Sequence, residues 1–321
     1  MSFDRCNVHS RICKESTFTS GVGIAAYNTI SPFPSLPCSS LPQSTLLSNF
    51  SETTDRPTAV ITGGSAGLGL VIAETFAGAG YQVILVGRSK DRLAKAKQFL
   101  NDKLDTPAVT LCGDMSNRDD CTKIADSVNV QFGRLDALVN CIGASDRGLA
   151  GELTAQRMHE LLDQNVITTL LCCQAFLPLL ESSRGSIVNI GSLAGKVGAR
   201  YLGGYNAAKH ALAGLTQQMR LEWRDKGIHV ALVSPGPIRR EDAGVRYADR
   251  TNESLPPSAS APGGGTKVKG LDPQRVADAV LKCARRKRTD VILPGYLRLL
   301  IVLGNAIPRL GDWLLVKFTT K

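Results

Sequence analysis

Residues 58–69 read Thr-Ala-Val-Ile-Thr-Gly-Gly-Ser-Ala-Gly-Leu-Gly, and this stretch decides the fold. Its first five residues are mostly apolar and β-branched, which is typical of a buried strand. A glycine-rich segment follows at once, and glycine permits the tight turn that a strand needs before it enters a helix. A helical pattern then continues to about Gly80. The stretch therefore predicts a strand–loop–helix unit, the repeating piece of a parallel α/β sheet.

Six further strand-like runs alternate with helical patterns along the chain. With the first, they read TAVIT, QVILVG, AVTLCG, LDALVNC, GSIVNI, IHVALVS and DVILP. These runs lack polar alternation, so both faces of the sheet are predicted to be covered. Strands that are joined by helical crossovers pair in parallel, with right-handed connections. The sequence therefore predicts an α/β fold, a doubly wound seven-stranded parallel sheet of the Rossmann type, in a single domain with terminal extensions.

The composition fits a soluble globular protein. Apolar residues make up 43 % and charged residues 21 % of the 321 residues, which argues against a mainly disordered chain and a polytopic membrane protein. The nine cysteines include no C-x-x-C pair, so they predict reduced thiols of a cytoplasmic protein. The four histidines show no ligand spacing, and the sequence predicts no metal site.

Three segments flank or interrupt the predicted core domain, 56–294. Residues 1–55 are rich in Ser, Thr and Pro and are predicted to be a disordered extension. They contain no uninterrupted apolar run, so a secretory signal is not expected, whereas a transit peptide and an artefactual upstream start both stay open. Residues 239–270 include NESLPPSASAPGGG and predict a substrate loop or lid. Residues 295–321 form an amphipathic basic tail.

The net charge of +10 is concentrated at the carboxyl end. Residues 282–321 hold nine Lys/Arg against two Asp, a net +7. They lack interleaved stacking aromatics, so no nucleic-acid partner is predicted. Their apolar pieces are shorter than the roughly 20 residues that span a bilayer. Two interpretations stay open: contact with an anionic membrane surface, or packing over the substrate pocket or on a partner subunit.

The glycine loop predicts a dinucleotide site. Because the loop lies between a strand and a helix, its N–H groups can approach a pyrophosphate that the helix dipole also favours. The candidate binding residues in this loop are Gly63, Ser65, Gly67, Leu68 and Gly69.

The end of the second strand favours NADP(H) as the cofactor. Gly87 stands where an NAD-selective site places an acid for the ribose 2′-hydroxyl. Arg88 follows and offers a planar, permanently charged donor for a 2′-phosphate. The alternative is an arginine that only solvates the loop end.

Two later stretches carry the remaining chemistry. The run IVNIGS ends at Ser192, after a predicted strand, and the run YNAAK extends from Tyr205 to Lys209. A spacing of four places Tyr205 and Lys209 on one face of a helix. Together with TGGSAGLG at 62–69, these stretches resemble the short-chain dehydrogenase/reductase family, whose signatures are T-G-x-x-x-G-x-G and a Ser followed by Y-x-x-x-K. The resemblance covers about 57–294.

The resemblance implies hydride transfer between a nicotinamide and a carbonyl/alcohol pair, and chemistry explains the residue types. A free tyrosine has a pKa of about 10, and a nearby ammonium lowers the pKa by stabilising the phenolate. Lys209 supplies that ammonium and, as the resemblance implies, bonds the nicotinamide ribose. Ser192 would hold the carbonyl oxygen, and Tyr205 would transfer the proton.

Two further residues match family positions, and Met115 beside one of them is also a candidate for the cofactor site. The resemblance implies that Asn165 supports a water-linked proton relay to Lys209; on its own, it would be an ordinary helix residue. Asp114, which Met115 follows, is implied to bond the adenine ring, and the alternative for Asp114 is a turn cap.

Two loops depart from the family pattern. The sequence NCIG replaces the usual N-N-A-G, although Asn140 and Gly143 keep its ends and are expected to line the cofactor. Pro235, Gly236 and Ile238 match the loop beside the nicotinamide. The usual Thr is replaced by Arg-Arg-Glu at 239–241, so backbone groups at Ile238 are expected to hold the carboxamide.

The sequence thus predicts an NADP(H)-dependent oxidoreductase of a hydrophobic carbonyl or alcohol of lipid, steroid or aliphatic type. A non-catalytic NADP(H)-binding scaffold or redox sensor is the alternative. Ala207, Ala211 and Gly214 permit close helix packing, and the family commonly dimerises through this helix, so a homodimer or homotetramer is expected. The Cys172-Cys173 pair is expected in core or interface packing.

Overall fold

The computed structural model describes residues 56–104, 107–240, 255–261, 263–286 and 288–317. These residues belong to the unit Glu52–Lys321. The predicted extension at 1–55 lies outside the described residues, as do residues 241–254 of the predicted lid.

Seven parallel strands form one sheet, which confirms the predicted doubly wound α/β fold. The strands are β1 (Thr58–Thr62), β2 (Gln82–Gly87), β3 (Val109–Cys112), β4 (Ala137–Asn140), β5 (Ser186–Ile190), β6 (His229–Pro235) and β7 (Asp290–Leu293). Their order across the sheet is β3-β2-β1-β4-β5-β6-β7, and each neighbouring pair is parallel.

Helices cover both faces of this sheet. They are α1 (Gly67–Gly78), α2 (Lys90–Asn101), α3 (Arg118–Phe132), α4 (Ala155–Leu162), α5 (Thr168–Ser183), α6 (Tyr205–Glu222), α7 (Pro273–Ala284), α8 (Leu297–Ala306) and α9 (Pro308–Lys317). Successive strand residues point to opposite faces. Accordingly, Ile61 packs with Phe76 of α1 and Val280 of α7, whereas Val60 packs with Phe176 of α5. The absence of polar alternation in the strands follows from this double coverage.

Local sequence explains where several helices begin and end. Asn117 precedes α3, and its side chain accepts hydrogen bonds from Asp119 N at 2.8 Å and Asp120 N at 3.1 Å. Such a side chain satisfies N–H groups that the helix itself leaves unpaired. At the other end of α3, Gly133 has φ 65°, a left-handed conformation that glycine adopts without a Cβ penalty. Asp272 caps α7 in the same way as Asn117 caps α3.

The strand order creates the crevice in which a ligand can bind. From β1 the sheet continues through β2 to β3 on one side and through β4 to β7 on the other. The connections that follow β1 and β4 therefore leave the sheet in opposite directions. In parallel α/β sheets, such a reversal opens a cleft at the carboxyl ends of the strands.

Helices α4 and α5 join through a π-helical turn at Asp163–Ile167. The joined segment, Ala155–Ser183, is long and apolar enough to cross a membrane by length and composition. The core helix of a globular protein has the same properties, and Cys172, Cys173 and Phe176 of this segment are buried against the sheet. The expected core packing of the two cysteines is confirmed. The π-helical turn was not predicted from the sequence.

Helices α8 and α9 cross closely at two glycines. A Cβ on Gly311 would lie 2.6 Å from the Gly304 carbonyl oxygen, so only glycine allows this approach. Ile301 is buried, while many other large side chains of the pair are exposed. The exposed set comprises Leu299, Leu300, Val302, Leu303, Ile307, Leu310, Trp313 and Val316.

Candidate active site

A cleft of about 1540 Å³ opens at the carboxyl ends of the strands. The connections that follow β1 to β6 line it, together with α6, α8 and α9. Every site residue predicted from the sequence lines this cleft except Asn140. Residues that are up to 175 positions apart in the chain therefore meet in one cavity, from Gly63 to Ile238.

The glycine loop after β1 is tightly folded. Gly63 has φ +69°, and its N–H donates to the Val86 carbonyl of β2 at 2.8 Å. A Cβ on Gly69 would lie 2.2 Å from the Gly63 carbonyl oxygen, which no side chain can tolerate. Helix α1 has Ala66 at its N-cap, without a side-chain hydrogen bond, and no acidic residue in its first turn. Its positive end therefore faces the cleft in an arrangement that suits an anion.

Arginine side chains lie beyond the end of β2. Arg88 is 79 % exposed, and its guanidinium is 3.9 Å from a carboxylate oxygen of Asp114. Hydrogen bonding to Ser116 lowers the pKa of Asp114, and Arg88 adds a smaller effect in the same direction. Arg92, in the first turn of α2, also lines the cleft. Arg92 was not predicted as a site residue from the sequence. Its position four residues after Arg88 could have indicated that both side chains face the same ligand.

Lys209 is the most deeply buried charged group of the site. Only 4 % of the residue is exposed, and its ammonium donates to the Ile190 carbonyl of β5 at 3.0 Å. Its nitrogen lies 5.8 Å from the centre of the Tyr205 ring. Burial lowers the pKa of Lys209 to about 8. Gly195, in the turn after β5, allows that turn to pack closely on α6, because a Cβ at this position would lie 2.5 Å from the Lys209 carbonyl oxygen.

Ser192 and Tyr205 line the same cleft from two different elements. Ser192 follows β5, and its hydroxyl accepts a hydrogen bond from Ala194 N at 3.1 Å, which orients the side chain. Tyr205 is the first residue of α6, so the predicted helical spacing to Lys209 is confirmed.

Asn165 lies in the π-helical turn and is fully buried. Its side-chain nitrogen donates to Leu161 O at 2.9 Å and Ala144 O at 3.0 Å. Among the described residues its side-chain oxygen has no hydrogen-bond partner. A Cβ on Gly143 would lie 2.6 Å from that oxygen and 3.4 Å from the Lys209 nitrogen, so the glycine leaves open the space that adjoins both groups.

Asn140 does not line the cleft, although it was expected to line the cofactor. Its side-chain nitrogen donates to Asn189 Oδ1 at 2.9 Å and to Cys173 Sγ at 3.3 Å, so it points into the core below the cleft. Asn140 and Asn189 face each other on the adjacent strands β4 and β5. This pairing across the strands turns the Asn140 side chain away from the cavity.

The loop after β6 is held by its neighbours. Gly236 N donates to the Leu293 carbonyl of β7 at 2.7 Å, and Ile238 forms a bridge with Leu271. Pro235, Gly236 and Ile238 all line the cleft. Arg240 lines it as well, a residue that the sequence analysis noted only as a departure from the family pattern.

The described part of the predicted lid also borders the cleft, through Gly263, Thr266, Lys267 and Val268. Arg147, only 6 % exposed, anchors this segment by donating to Ala259 O at 2.6 Å and Ala261 O at 3.1 Å. Nothing in the local sequence indicated this contact, because the partners are more than 110 residues apart.

Helices α8 and α9 form the apolar end of the cleft. Leu297, Leu300, Ile301, Leu314 and Leu315 line it. The inner face of the tail therefore packs over the pocket, which is one of the two interpretations that the sequence left open. The outer face of the tail is the exposed apolar set described above, apart from Leu300, which lines the cleft.

Within the described residues, no group of three or more His, Cys, Asp or Glu is placed to hold a metal ion. Cys141, at the end of β4, lines the cleft beside the Gly63 loop. Burial raises the pKa of its thiol to about 11, so it stays protonated at neutral pH.

Comparison with known proteins agrees with this architecture. The sequence model of the short chain dehydrogenase family matches residues 57–250. Dehydrogenase/reductase SDR family member 7B of Danio rerio is 32 % identical over 250 residues, which cover 74 % of this chain and 76 % of the relative. The 11-beta-hydroxysteroid dehydrogenase 1A of Arabidopsis thaliana is 29 % identical over 284 residues, covering 84 % and 78 %.

Among solved structures, L-sorbose reductase from Gluconobacter frateurii, complexed with NADPH and L-sorbose, superposes with a TM-score of 0.65 at 25 % identity. The match covers 75 % of this chain and 95 % of the reductase. The chain therefore belongs to the short-chain dehydrogenase/reductase family, oxidoreductases that act on CH–OH groups with a nicotinamide cofactor.

Proposed function

We propose that this protein is an NADP(H)-dependent reductase or dehydrogenase of a hydrophobic carbonyl/alcohol pair, with Tyr205 as its acid/base. The observation that carries the proposal is the buried Lys209 ammonium, 5.8 Å from the Tyr205 ring, in a cleft that Ser192 and the glycine loop share. A protein that only bound the nucleotide could use Lys209 to hold the ribose, but it would not require the Ser192 hydroxyl in the same cleft.

Tyr205, Ser192 and Lys209 divide the proton chemistry between them. Ser192 holds the substrate oxygen by a hydrogen bond, and Tyr205 donates its proton to that oxygen in reduction or accepts one in oxidation. The Lys209 ammonium stabilises the phenolate that forms. When bound, the nicotinamide supplies or accepts the hydride.

Asn165 extends this set into the interior. Its side-chain oxygen is buried, and an unpaired buried acceptor costs about 1–3 kcal/mol. A water that donates to this oxygen and accepts from Lys209 would relieve that cost and link Asn165 to the active-site lysine. Gly143, which adjoins both groups, leaves the necessary space.

The residues of the cleft fit a nicotinamide dinucleotide. Gly63, Ser65 and Gly67–Gly69 would hold the pyrophosphate against the positive end of α1, in a loop whose close packing on the helix requires glycine at position 69. The remaining contacts divide between the two ends of the cofactor. Asp114 and Met115 would hold the adenine, and Gly143, Pro235, Gly236 and Ile238 would hold the nicotinamide, with Asn140 supporting the strand end from below.

The preference for NADP(H) rests on Arg88 and Arg92. Both line the cleft beyond β2, and Gly87 provides no acid to grip a 2′-hydroxyl. Two guanidinium groups favour a 2′-phosphate, which they can bind in a fork geometry. The L-sorbose reductase structure, with its bound NADPH, supports the same choice.

The substrate is a hydrophobic molecule of lipid, steroid or aliphatic type. The apolar wall that α8 and α9 contribute to the cleft supports this proposal. A hydrophobic ligand gains binding free energy when its apolar surface leaves water and contacts such a wall.

The outer face of α8 and α9 contacts an anionic membrane surface, so the protein is peripherally membrane-associated; its cytoplasmic location rests on the cysteines, which include no C-x-x-C pair. Each helix has 10 residues, too short to span a bilayer. Leu299, Val302, Trp313 and Val316 are each more than half exposed, and three exposed cations, Arg298, Arg309 and Lys317, accompany them. Apolar residues beside cations are typical of interfacial binding.

The protein assembles as a homodimer or homotetramer through α6. Ala207, Ala211 and Gly214 are exposed on that helix, and small side chains permit close approach of a second helix.

Turnover of the Tyr205→Phe variant tests the proposed function. Carbonyls and alcohols are screened with NADPH and NADP⁺, and cofactor affinity is measured by nucleotide fluorescence. Loss of the proton donor should lower kcat by about 100-fold or more while cofactor binding survives. Tyr201→Phe is the matched control, because Tyr201 does not line the cleft.

Near-normal kcat in Tyr205→Phe would refute the assigned mechanism. Cofactor binding without turnover of any substrate by the wild type would favour the alternative, a non-catalytic NADP(H)-binding scaffold or redox sensor.

A further inference from the structure

Arg240 follows the loop after β6, and residues just before α7 fix the path of this loop. Ile238 bridges with Leu271, and Arg239 N donates to Leu271 O at 2.8 Å. The Arg239 guanidinium is 3.0 Å from a carboxylate oxygen of Asp272, at the start of α7. Arg239 therefore points away from the cleft, and its neighbour Arg240 is carried into it.

The guanidinium of Arg240 reaches the glycine loop. A Cβ built on Gly67 would lie 3.1 Å from a terminal nitrogen of Arg240, the one contact within 4 Å that the described residues outside the first turn of α1 make with that point. Gly67 is the first residue of α1 and has φ +55°. Arg240 thus extends from the β6 side of the cleft across to the first turn of α1.

Two positive fields meet at this point. The N-terminus of α1 carries about half a positive charge from its aligned peptide dipoles, and its first turn contains no acidic residue. The Arg240 guanidinium adds a full positive charge. An anion located between them interacts favourably with both, and a phosphate suits the paired donors of a guanidinium.

We propose that Arg240 binds the diphosphate of the nicotinamide cofactor and holds it against the glycine loop from the β6 side. This inference rests on the proposed cofactor site. It assigns Arg240 a task different from that of Arg88 and Arg92, which lie beyond β2. The diphosphate is common to NADH and NADPH, so Arg240 contributes to affinity for both nucleotides and not to the choice between them.

The test compares equilibrium Kd values of wild type, Arg240→Ala and Arg240→Lys for three ligands. NADPH contains the diphosphate and the 2′-phosphate, NADH contains the diphosphate alone, and 2′-AMP contains a 2′-phosphate without a diphosphate. Fluorescence titration serves for the reduced nucleotides, and calorimetry serves for 2′-AMP. Loss of a charge-assisted hydrogen bond should weaken NADPH and NADH by the same factor, roughly 10- to 100-fold, in Arg240→Ala.

Three controls separate this effect from others. Arg275→Ala removes an exposed arginine of α7 that does not line the cleft and, among the described residues, donates no hydrogen bond to the loop of Arg240, so it should leave all three Kd values unchanged. Arg240→Ala should leave 2′-AMP binding unchanged, which also reports that the variant is folded. Arg240→Lys keeps the positive charge but removes the paired donors of the planar guanidinium, so it should retain part of the affinity for both reduced nucleotides.

Two outcomes would overturn the inference. One is Arg240→Ala affinities for NADPH and NADH within about twofold of wild type. The other is weakened NADPH with unchanged NADH, which would place Arg240 at the 2′-phosphate. Failure of the proposed function looks different, because the wild type itself would then bind neither reduced nucleotide.

Discussion

Gly69 and Gly78 lie on the same helix, and the same substitution to alanine should change stability in opposite directions. A Cβ on Gly69 would lie 2.2 Å from the Gly63 carbonyl oxygen and 2.8 Å from its carbonyl carbon. These are backbone atoms, so the glycine loop or α1 must move. Overpacking of this kind costs about 1–3 kcal/mol. By contrast, nothing lies within 4 Å of a Cβ on Gly78, where alanine should stabilise the helix by up to about 1 kcal/mol.

Thermal unfolding and cofactor titration of both variants measure this difference. For a domain of this size 1 kcal/mol shifts Tm by about 2–4 °C, so Gly69→Ala should lower Tm by roughly 2–12 °C and Gly78→Ala should raise it slightly. Gly69→Ala should also weaken NADPH about tenfold or more, because the displaced amides no longer converge on the phosphates. Wild-type Tm and Kd in Gly69→Ala would refute the described packing of the loop on α1.

Three further predictions follow from the charges of the site and tail. Arg88→Asp should weaken NADPH much more than NADH in a fluorescence titration, and a wild type that prefers NADH would contradict the role of Arg88. Burial lowers the pKa of Lys209 from 10.5 to about 8, so the unfolded chain binds more protons between those values and stability rises with pH there. The buried thiols, whose pKa values are raised, lower stability over part of the same pH range in both proteins, so the test is a difference: in urea unfolding, the free energy of unfolding of the wild type should rise with pH relative to that of Lys209→Met, and equal pH profiles would contradict it. A chain ending at Pro294 should remain in the supernatant after sedimentation with anionic liposomes that retain the full protein in part at low salt, whereas equal recovery of both would exclude the membrane contact.

Much of the fold was predictable because its signals are local. Each strand run is continuous and apolar, and each helix pattern repeats along a few turns, so neither depends on distant residues. The candidate site was predictable where family motifs fix the chemistry, as in the pair Tyr205 and Lys209. A single helix holds both residues, and helical geometry alone places them on one face.

Other features depended on contacts that sequence patterns do not encode. The π-helical turn at Asp163–Ile167 changes the direction of Asn165, and no residue type marks such a turn. Asn140 turns toward Asn189 because β4 and β5 are neighbours in the sheet. The strand order, in turn, becomes known only after the chain has folded.

The strand–helix alternation, the glycine loop and the chemical groups at Ser192, Tyr205 and Lys209 could be identified from the sequence. The covalent chain fixes the order and spacing of these residues before any folding. Only the tertiary structure decided that Arg240 reaches Gly67 and that α8 and α9 line the cleft. These contacts join residues more than a hundred positions apart. Their geometry results from the packing of whole elements on the sheet, which no local pattern specifies.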